Sequence, residues 1–318
     1  MKRLQSLDQF RGLTIVAMVL ANFLAGVNLV PAWLKHAPDT GLTVIDLIAP
    51  FFIFAIGFTF RGSFQRRAGR NGLPTAYLTA ARRALVLIGI GTILSAFEAS
   101  LGFEHTANRW GVLEAIGVAS LATLSVVRLP TGWVFATGFG LLGLYQVLLD
   151  RFWVAIVLNS SHGGLPGALG WSAMLFLAMG LADLYYHPRL PKWLFALAGL
   201  GLVGGGLLFN LLTPISKNRV SGPYVLVSLG FAVFVYCACH LSTEVLKRPQ
   251  PIFELWGRNP LALYLLHMLL LGLFALPPVP AWYSQAPLWL VGLQAFALLG
   301  LMTLAAGWLE RRGWILKI

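Results

Sequence analysis

The 318 residues are 58% hydrophobic and 11% charged, with a mean hydropathy of +0.78. A soluble domain carries about a quarter charged residues, so water is not the solvent for most of this surface, and a separate soluble domain has no room. The net charge of +12 falls in short clusters between apolar runs; that pattern argues against nucleic acid as a partner and fits loops facing anionic lipid.

A membrane-crossing helix needs about 20 mainly apolar residues. Runs of that kind lie near 9–30, 42–62, 79–98, 110–127, 132–149, 167–186, 192–212, 223–245, 259–276 and 287–309. They are continuous rather than alternating, which excludes a β-barrel. The expected fold is therefore all-α: one polytopic bundle over residues 1–318, with about ten transmembrane helices. Ser6 and Gln9 have the spacing of a capping box at the start of the first run. No cleavable leader is apparent before it, so the first run is expected to stay as an anchor.

Basic residues set the orientation. With the N-terminus inside, 18 of the 23 Lys and Arg fall on the inner side, and five (Lys35, Arg109, Arg151, Lys217 and Arg219) fall outside. The positive-inside rule then puts both termini in the cytoplasm. Cys237 and Cys239 stand two apart in one apolar run, on different helix faces; they read as small core residues, not as a disulfide or metal pair. No metal site is expected. No internal repeat is evident, which counts mildly against a secondary transporter.

Ionisable and amide groups inside spans are costly and are functional candidates by default. Asn22 lies in the outward half of the first span and His36 in the loop beyond it. Asp46 opens the second span on that same side, Glu98 closes the third, and Arg109 and Glu114 open the fourth. Depth alone thus gathers a polar constellation at the outer mouth. Each member also has a plainer reading: Asp46 as a cap or a partner of Arg109, Asn22 as helix–helix glue, the others as interfacial ion pairs. His105 and His162 are outside with no supporting pattern, and His187 and His240 lie toward the cytoplasm. His267, deep in the ninth run after Asn259, reads as a core histidine needing a partner. Asp8 and Arg11 share a helix face and form either a local ion pair or, through Arg11, a contact for an anionic cofactor.

The opening Arg3-Leu4-Gln5-Ser6-Leu7-Asp8-Gln9-Phe10-Arg11-Gly12, Asn22, Lys35-His36 and Gly41-Leu42-Thr43-Val44-Ile45-Asp46-Leu47 resemble the heparan-α-glucosaminide N-acetyltransferase family. Pro50-Phe51-Phe52-Ile53-Phe54 with Gly57, the block Arg109-Trp110-Gly111-Val112-Leu113-Glu114-Ala115-Ile116-Gly117, and Gly257-x-Asn259 with His267 extend the likeness. Glu114 stands where that family commonly has Gln.

The resemblance implies an integral protein of the bacterial inner (plasma) membrane. It would move acetyl from cytoplasmic acetyl-CoA to an amine or hydroxyl of a sugar or amino sugar on the other side. It makes His36 the catalytic base or acetyl carrier, with Asp46 orienting the imidazole and Asn22 in the same site. Asn22 or Arg109 would stabilise the thioester oxyanion. Arg109, Glu114, Asn259 and His267 are expected at the acceptor, Arg11 and Arg61 at the acetyl-CoA co-substrate. A homo-oligomer stays open. Two other classes compete: a sugar or amino-sugar permease, which consumes no acetyl-CoA, and a lipid-binding scaffold indifferent to loss of Asn22, His36 and Asp46.

Overall fold

The computed structural model describes residues 4–100, 110–274, 276 and 279–316; Arg109 and His105 lie outside them. Within the described residues the chain is helical, with no β-strand. The helices are α1 (Gln5–Ala25), α2 (Ile48–Asn71), α3 (Leu73–Ser100), α4 (Val112–Val126), α5 (Thr131–Leu148), α6 (Val154–Leu158) and α7 (Gly164–Tyr186). They continue with α8 (Trp193–Phe209), α9 (Gly222–His240), α10 (Pro251–Arg258), α11 (Pro260–Phe274), α12 (Ala281–Ser284) and α13 (Leu288–Arg311).

Among the described residues, seven helical stretches, built on α1, α2, α3, α5, α7, α9 and α13, are long and apolar enough to cross a membrane; α4, α8 and α11 are shorter apolar helices in the remaining three expected runs. The protein is an integral membrane protein. Its surface fits that solvent: Leu78, Phe152, Leu212, Trp289, Phe296 and Leu304 all face outward, where lipid, not water, stabilises them.

α7 is the central post, buried along most of its length by α2, α4 and α5. A second packing centre joins α1 to α10 and, through it, to α13. Glycine makes the α1–α10 contact: a Cβ at Gly12 would overlap the Phe253 carbonyl oxygen, and one at Gly257 the Asp8 carbonyl oxygen. An aromatic cluster of Phe10, Phe54, Phe58, Tyr185, Phe195 and Tyr236 locks α1, α2, α7, α8 and α9 together, each ring pair adding about 0.5–1.5 kcal/mol beyond burial.

The expected capping box is not formed. α1 begins at Gln5 behind Leu4 with no side-chain cap, and the Ser6 hydroxyl instead meets the Tyr236 hydroxyl at 3.4 Å. Tertiary packing has taken the capping side chain.

Candidate active site

The segment between α1 and α2 carries His36. Its backbone turns at Gly41, whose φ of +111° is costly for any residue with a Cβ. A turn of 3-10 helix, Ile45–Leu47, then presents Asp46. The Asp46 carboxylate is fully buried and saturated: Oδ1 accepts from His36 Nδ1–H at 2.7 Å, and Oδ2 accepts from Thr43 N at 2.9 Å, Thr43 Oγ1 at 3.0 Å and Ala37 N at 3.3 Å. Tyr224 of α9 donates to the Asp46 carbonyl at 2.7 Å. A carboxylate fixed by four donors fixes the ring it holds. With Nδ1 carrying the proton, the imidazole lone pair is on Nε2.

The segment between α8 and α9 clamps this loop from the other side. Asp39 receives the Arg219 guanidinium and, at 3.0 Å, the Ser216 hydroxyl. Asn218 donates to the Pro38 carbonyl at 2.6 Å, and Gly41 N to the Ile215 carbonyl at 2.8 Å. The Arg219 contact holds the Asp39 carboxyl below its usual range. Lys217, half-buried, brings Nζ to 3.2 Å from His36 Nδ1; burial drops its pKa to about 8, against the opposing pull of Asp46.

Behind His36 lies a cavity of about 380 Å³ that Asn22, His36, Ser161, His162, Lys217 and Asn218 help to line. Asn22 also borders a smaller cavity of about 210 Å³ with Ser95, Glu98, Trp110, Glu114 and His162. Both N–H groups of the Asn22 amide are engaged, by His267 Nε2 at 2.9 Å and Met268 Sδ at 3.7 Å. Its oxygen is therefore the part left for a ligand, and the donors an oxyanion role requires are in use. His162 Nδ1 and Trp110 Nε1 are buried with no hydrogen-bond partner among the described residues, and both line the smaller cavity.

A third cavity, about 680 Å³, reaches from the N-terminal end of α1 inward as far as Met18, a residue it shares with the His36 cavity; Leu113 and Tyr264 it shares with the smaller one. Its depth is apolar. Its rim carries Asp8, Arg11, Arg66, Arg83 and Arg258. From Asp8 to Met18 is about 15 Å along α1 at 1.5 Å per residue.

The structure thus joins His36 to Asp46, joins Asn22 to His267, and sets Arg11 on the rim of the large cavity. Glu114, buried, accepts from Gly111 N at 3.1 Å and Ser95 Oγ at 3.2 Å, closing the first turn of α4 beside the small cavity. Arg61 does not line the large cavity: its guanidinium is taken by Asp183, the Val127 carbonyl at 3.1 Å and the Leu129 carbonyl at 2.8 Å. Asn259 spends both ends of its amide on the C-terminal segment, donating to the Trp314 carbonyl at 2.7 Å and accepting from Leu316 N at 3.0 Å. The sequence offers no motif that sets Arg66, Arg83 or His162 apart. For Lys217 a signal exists, since it is one of five cations on the side that the ten-span expectation leaves poor in basic residues.

Residues 3–208 match the model of the family described as heparan-alpha-glucosaminide N-acetyltransferase, catalytic. Human heparan-alpha-glucosaminide N-acetyltransferase is 37% identical over 93 residues, 29% of this chain and 14% of that protein. The mouse protein of the same name is 44% identical over 55 residues, 17% of this chain and 8% of its own length. The chain therefore spans a small part of these relatives. A match that runs from the start of α1 to the end of α8, and that includes Asn22, His36 and Asp46, assigns the chain to the heparan-alpha-glucosaminide N-acetyltransferase catalytic family.

Proposed function

We propose that the chain is a transmembrane acetyltransferase of a bacterial inner (plasma) membrane. It takes acetyl from cytoplasmic acetyl-CoA and delivers it to an amine or hydroxyl of a sugar or amino sugar on the opposite side. All ten apolar helices cross, and both termini are cytoplasmic; the charge bias of 18 to 5 supports this orientation. The N-acetyltransferase name of the human and mouse relatives supports an amino-sugar acceptor.

One observation carries the reading. A His36–Asp46 pair faces a cavity that shares Met18 with a larger one, apolar in depth and rimmed by four arginines. Arg11, Arg66, Arg83 and Arg258 suit the phosphates of acetyl-CoA, while the apolar depth suits its extended arm. On a covalent route His36 Nε2 attacks the thioester carbonyl carbon, the C–S bond breaks, and CoA leaves as thiolate and takes up a proton. The acceptor nitrogen or oxygen then attacks the acetyl carbon and sheds its proton, and the bond to Nε2 breaks. On a direct route Nε2 instead removes the acceptor's proton as it attacks the thioester. Both routes need the tautomer that Asp46 imposes.

The test is CoA release by the purified protein against a panel of amino sugars and sugar alcohols. His36→Ala abolishes acceptor-dependent release without lowering the thermal midpoint by more than a few degrees. Undiminished release by a folded His36→Ala protein overturns the reading, and a permease predicts no CoA release from the wild type.

A further inference from the structure

Acyl transfer from a thioester develops negative charge on the carbonyl oxygen, and preorganised donors aimed at that oxygen supply much of the rate. Among the described residues, the amide and guanidinium groups nearest His36 are engaged in other bonds. Both Asn22 N–H groups are bonded elsewhere, Asn218 gives an amide N–H to the Pro38 carbonyl, and Arg219 is held by Asp39. The cation that remains at the His36 cavity, among the described residues, is the ammonium of Lys217, 3.2 Å from the imidazole. It lies beyond residue 208, where the family match ends.

We propose that Lys217 is a catalytic residue whose ammonium stabilises the oxyanion formed when the acetyl carbonyl is attacked beside His36. The proposal rests on the acetyl-transfer reading and adds to it the electrophilic group. As the new bond forms to the carbonyl carbon, the C=O π pair moves onto oxygen, and Lys217 N–H groups bond to it; as the π bond re-forms, that pair returns and the leaving group departs. Lys217 keeps its own proton throughout.

Placement favours the role. The backbone on either side of Lys217 is fastened: Ser216 N to Ser221 Oγ at 3.0 Å, Ser221 Oγ to the Pro214 carbonyl at 2.9 Å, and Tyr145 OH to the Arg219 carbonyl at 2.6 Å. Val220 holds a φ of +51°, a conformation that a β-branched residue adopts only when its surroundings impose it. Among the described residues, the charged and titratable groups around Lys217 are His36 and Asp46 from the α1–α2 segment, His162 ahead of α7, and the mutually paired Asp39 and Arg219. The Lys217 pKa of about 8 means that the ammonium is present below pH 8 and lost above it. A catalyst that needs the charge slows as pH rises through about 8.

The experiment measures kcat and KM for acetyl-CoA and for acceptor between pH 6 and 10, in the full-length wild type, Lys217→Met and Lys217→Arg. Loss of one oxyanion donor costs about 100-fold to 1000-fold in kcat. Lys217→Met shows that loss at pH 7 with KM for acetyl-CoA within threefold, and its profile has no descending limb near pH 8. Lys217→Arg, always charged, recovers part of kcat and moves the limb upward. A fall in kcat that is the same at every pH, or one confined to acceptor KM, as expected of a lysine that merely holds an anionic acceptor, overturns the role. Normal CoA release by Lys217→Met refutes this inference and leaves the acetyl-transfer reading intact. A wild type that releases no CoA sinks both.

Discussion

Asp46→Asn separates the orientation of His36 from the survival of the fold. The three donors on Oδ2, Thr43 N, Thr43 Oγ1 and Ala37 N, keep the amide oxygen of an asparagine on their side. Its NH2 then faces His36 Nδ1, and two donors cannot bond. The ring must move its proton to Nε2 so that Nδ1 can accept, and the lone pair is lost from Nε2, the nitrogen that both proposed routes use. A charge-assisted hydrogen bond alone is worth about 1.5–3 kcal/mol, or about 10- to 150-fold at 1.36 kcal/mol per decade. The blocked tautomer adds to this, and the corresponding Asp→Asn exchange in serine proteases lowers kcat about 10⁴-fold. Acceptor-dependent CoA release is therefore expected to fall by about 10²- to 10⁴-fold in kcat, with KM for acetyl-CoA unchanged. Three of the four carboxylate bonds persist, so thermal unfolding of the detergent-solubilised variant stays close to wild type. Release within threefold of wild type would refute the argument, because it would mean that the tautomer held by Asp46 is irrelevant to the reaction.

Replacing both Arg66 and Arg83 with Gln at the rim of the large cavity is expected to raise KM for acetyl-CoA about tenfold or more while kcat changes little; an unchanged KM removes these arginines from donor binding. Arg61→Gln is expected to do the reverse, lowering the thermal midpoint and sparing KM, since it strips Asp183 of its cation and breaking a partly buried pair costs up to about 3–5 kcal/mol. Gly257→Ala forces α10 away from the Asp8 carbonyl and is expected to destabilise by about 1–3 kcal/mol, as overpacking does; a wild-type melting curve would show that the contact yields freely.

The apolar runs foretold the helices because lipid leaves the backbone no alternative to helix. Their ends were harder to read. The run expected over 192–212 closes as α8 at Phe209, because Asn210 Oδ1 captures Ile215 N at 2.8 Å and turns the chain back toward His36. α10 went unread: eight residues long and amphipathic, it is recognised only through its glycine contact with α1. Depth puts Asn22, His36 and Asp46 in one group, and the structure bonds His36 to Asp46 and sets Asn22 on the same cavity as His36, but depth has no angular coordinate. The pairing of Asn22 with His267 spans 245 residues, and that of His36 with Lys217 spans 181. Only packing reveals either, and packing also withdrew Arg61 and Asn259 into structural bonds.

Transfer across a bilayer, as proposed for this chain, demands that the loop carrying His36 be held in place. A donor entering from one side and an acceptor from the other meet productively only if the group between them stays at one depth, since near-attack geometry tolerates little displacement. A loop histidine is ordinarily the wrong choice for that task, because loops are the mobile part of a fold. Here the loop is fastened at Asp46 from within and at Pro38, Asp39 and Gly41 by the α8–α9 segment. That same segment supplies Lys217. On the proposed roles, the segment that fixes the imidazole also brings Lys217 to it, and weakening the Asp39–Arg219 clamp is expected to impair both together.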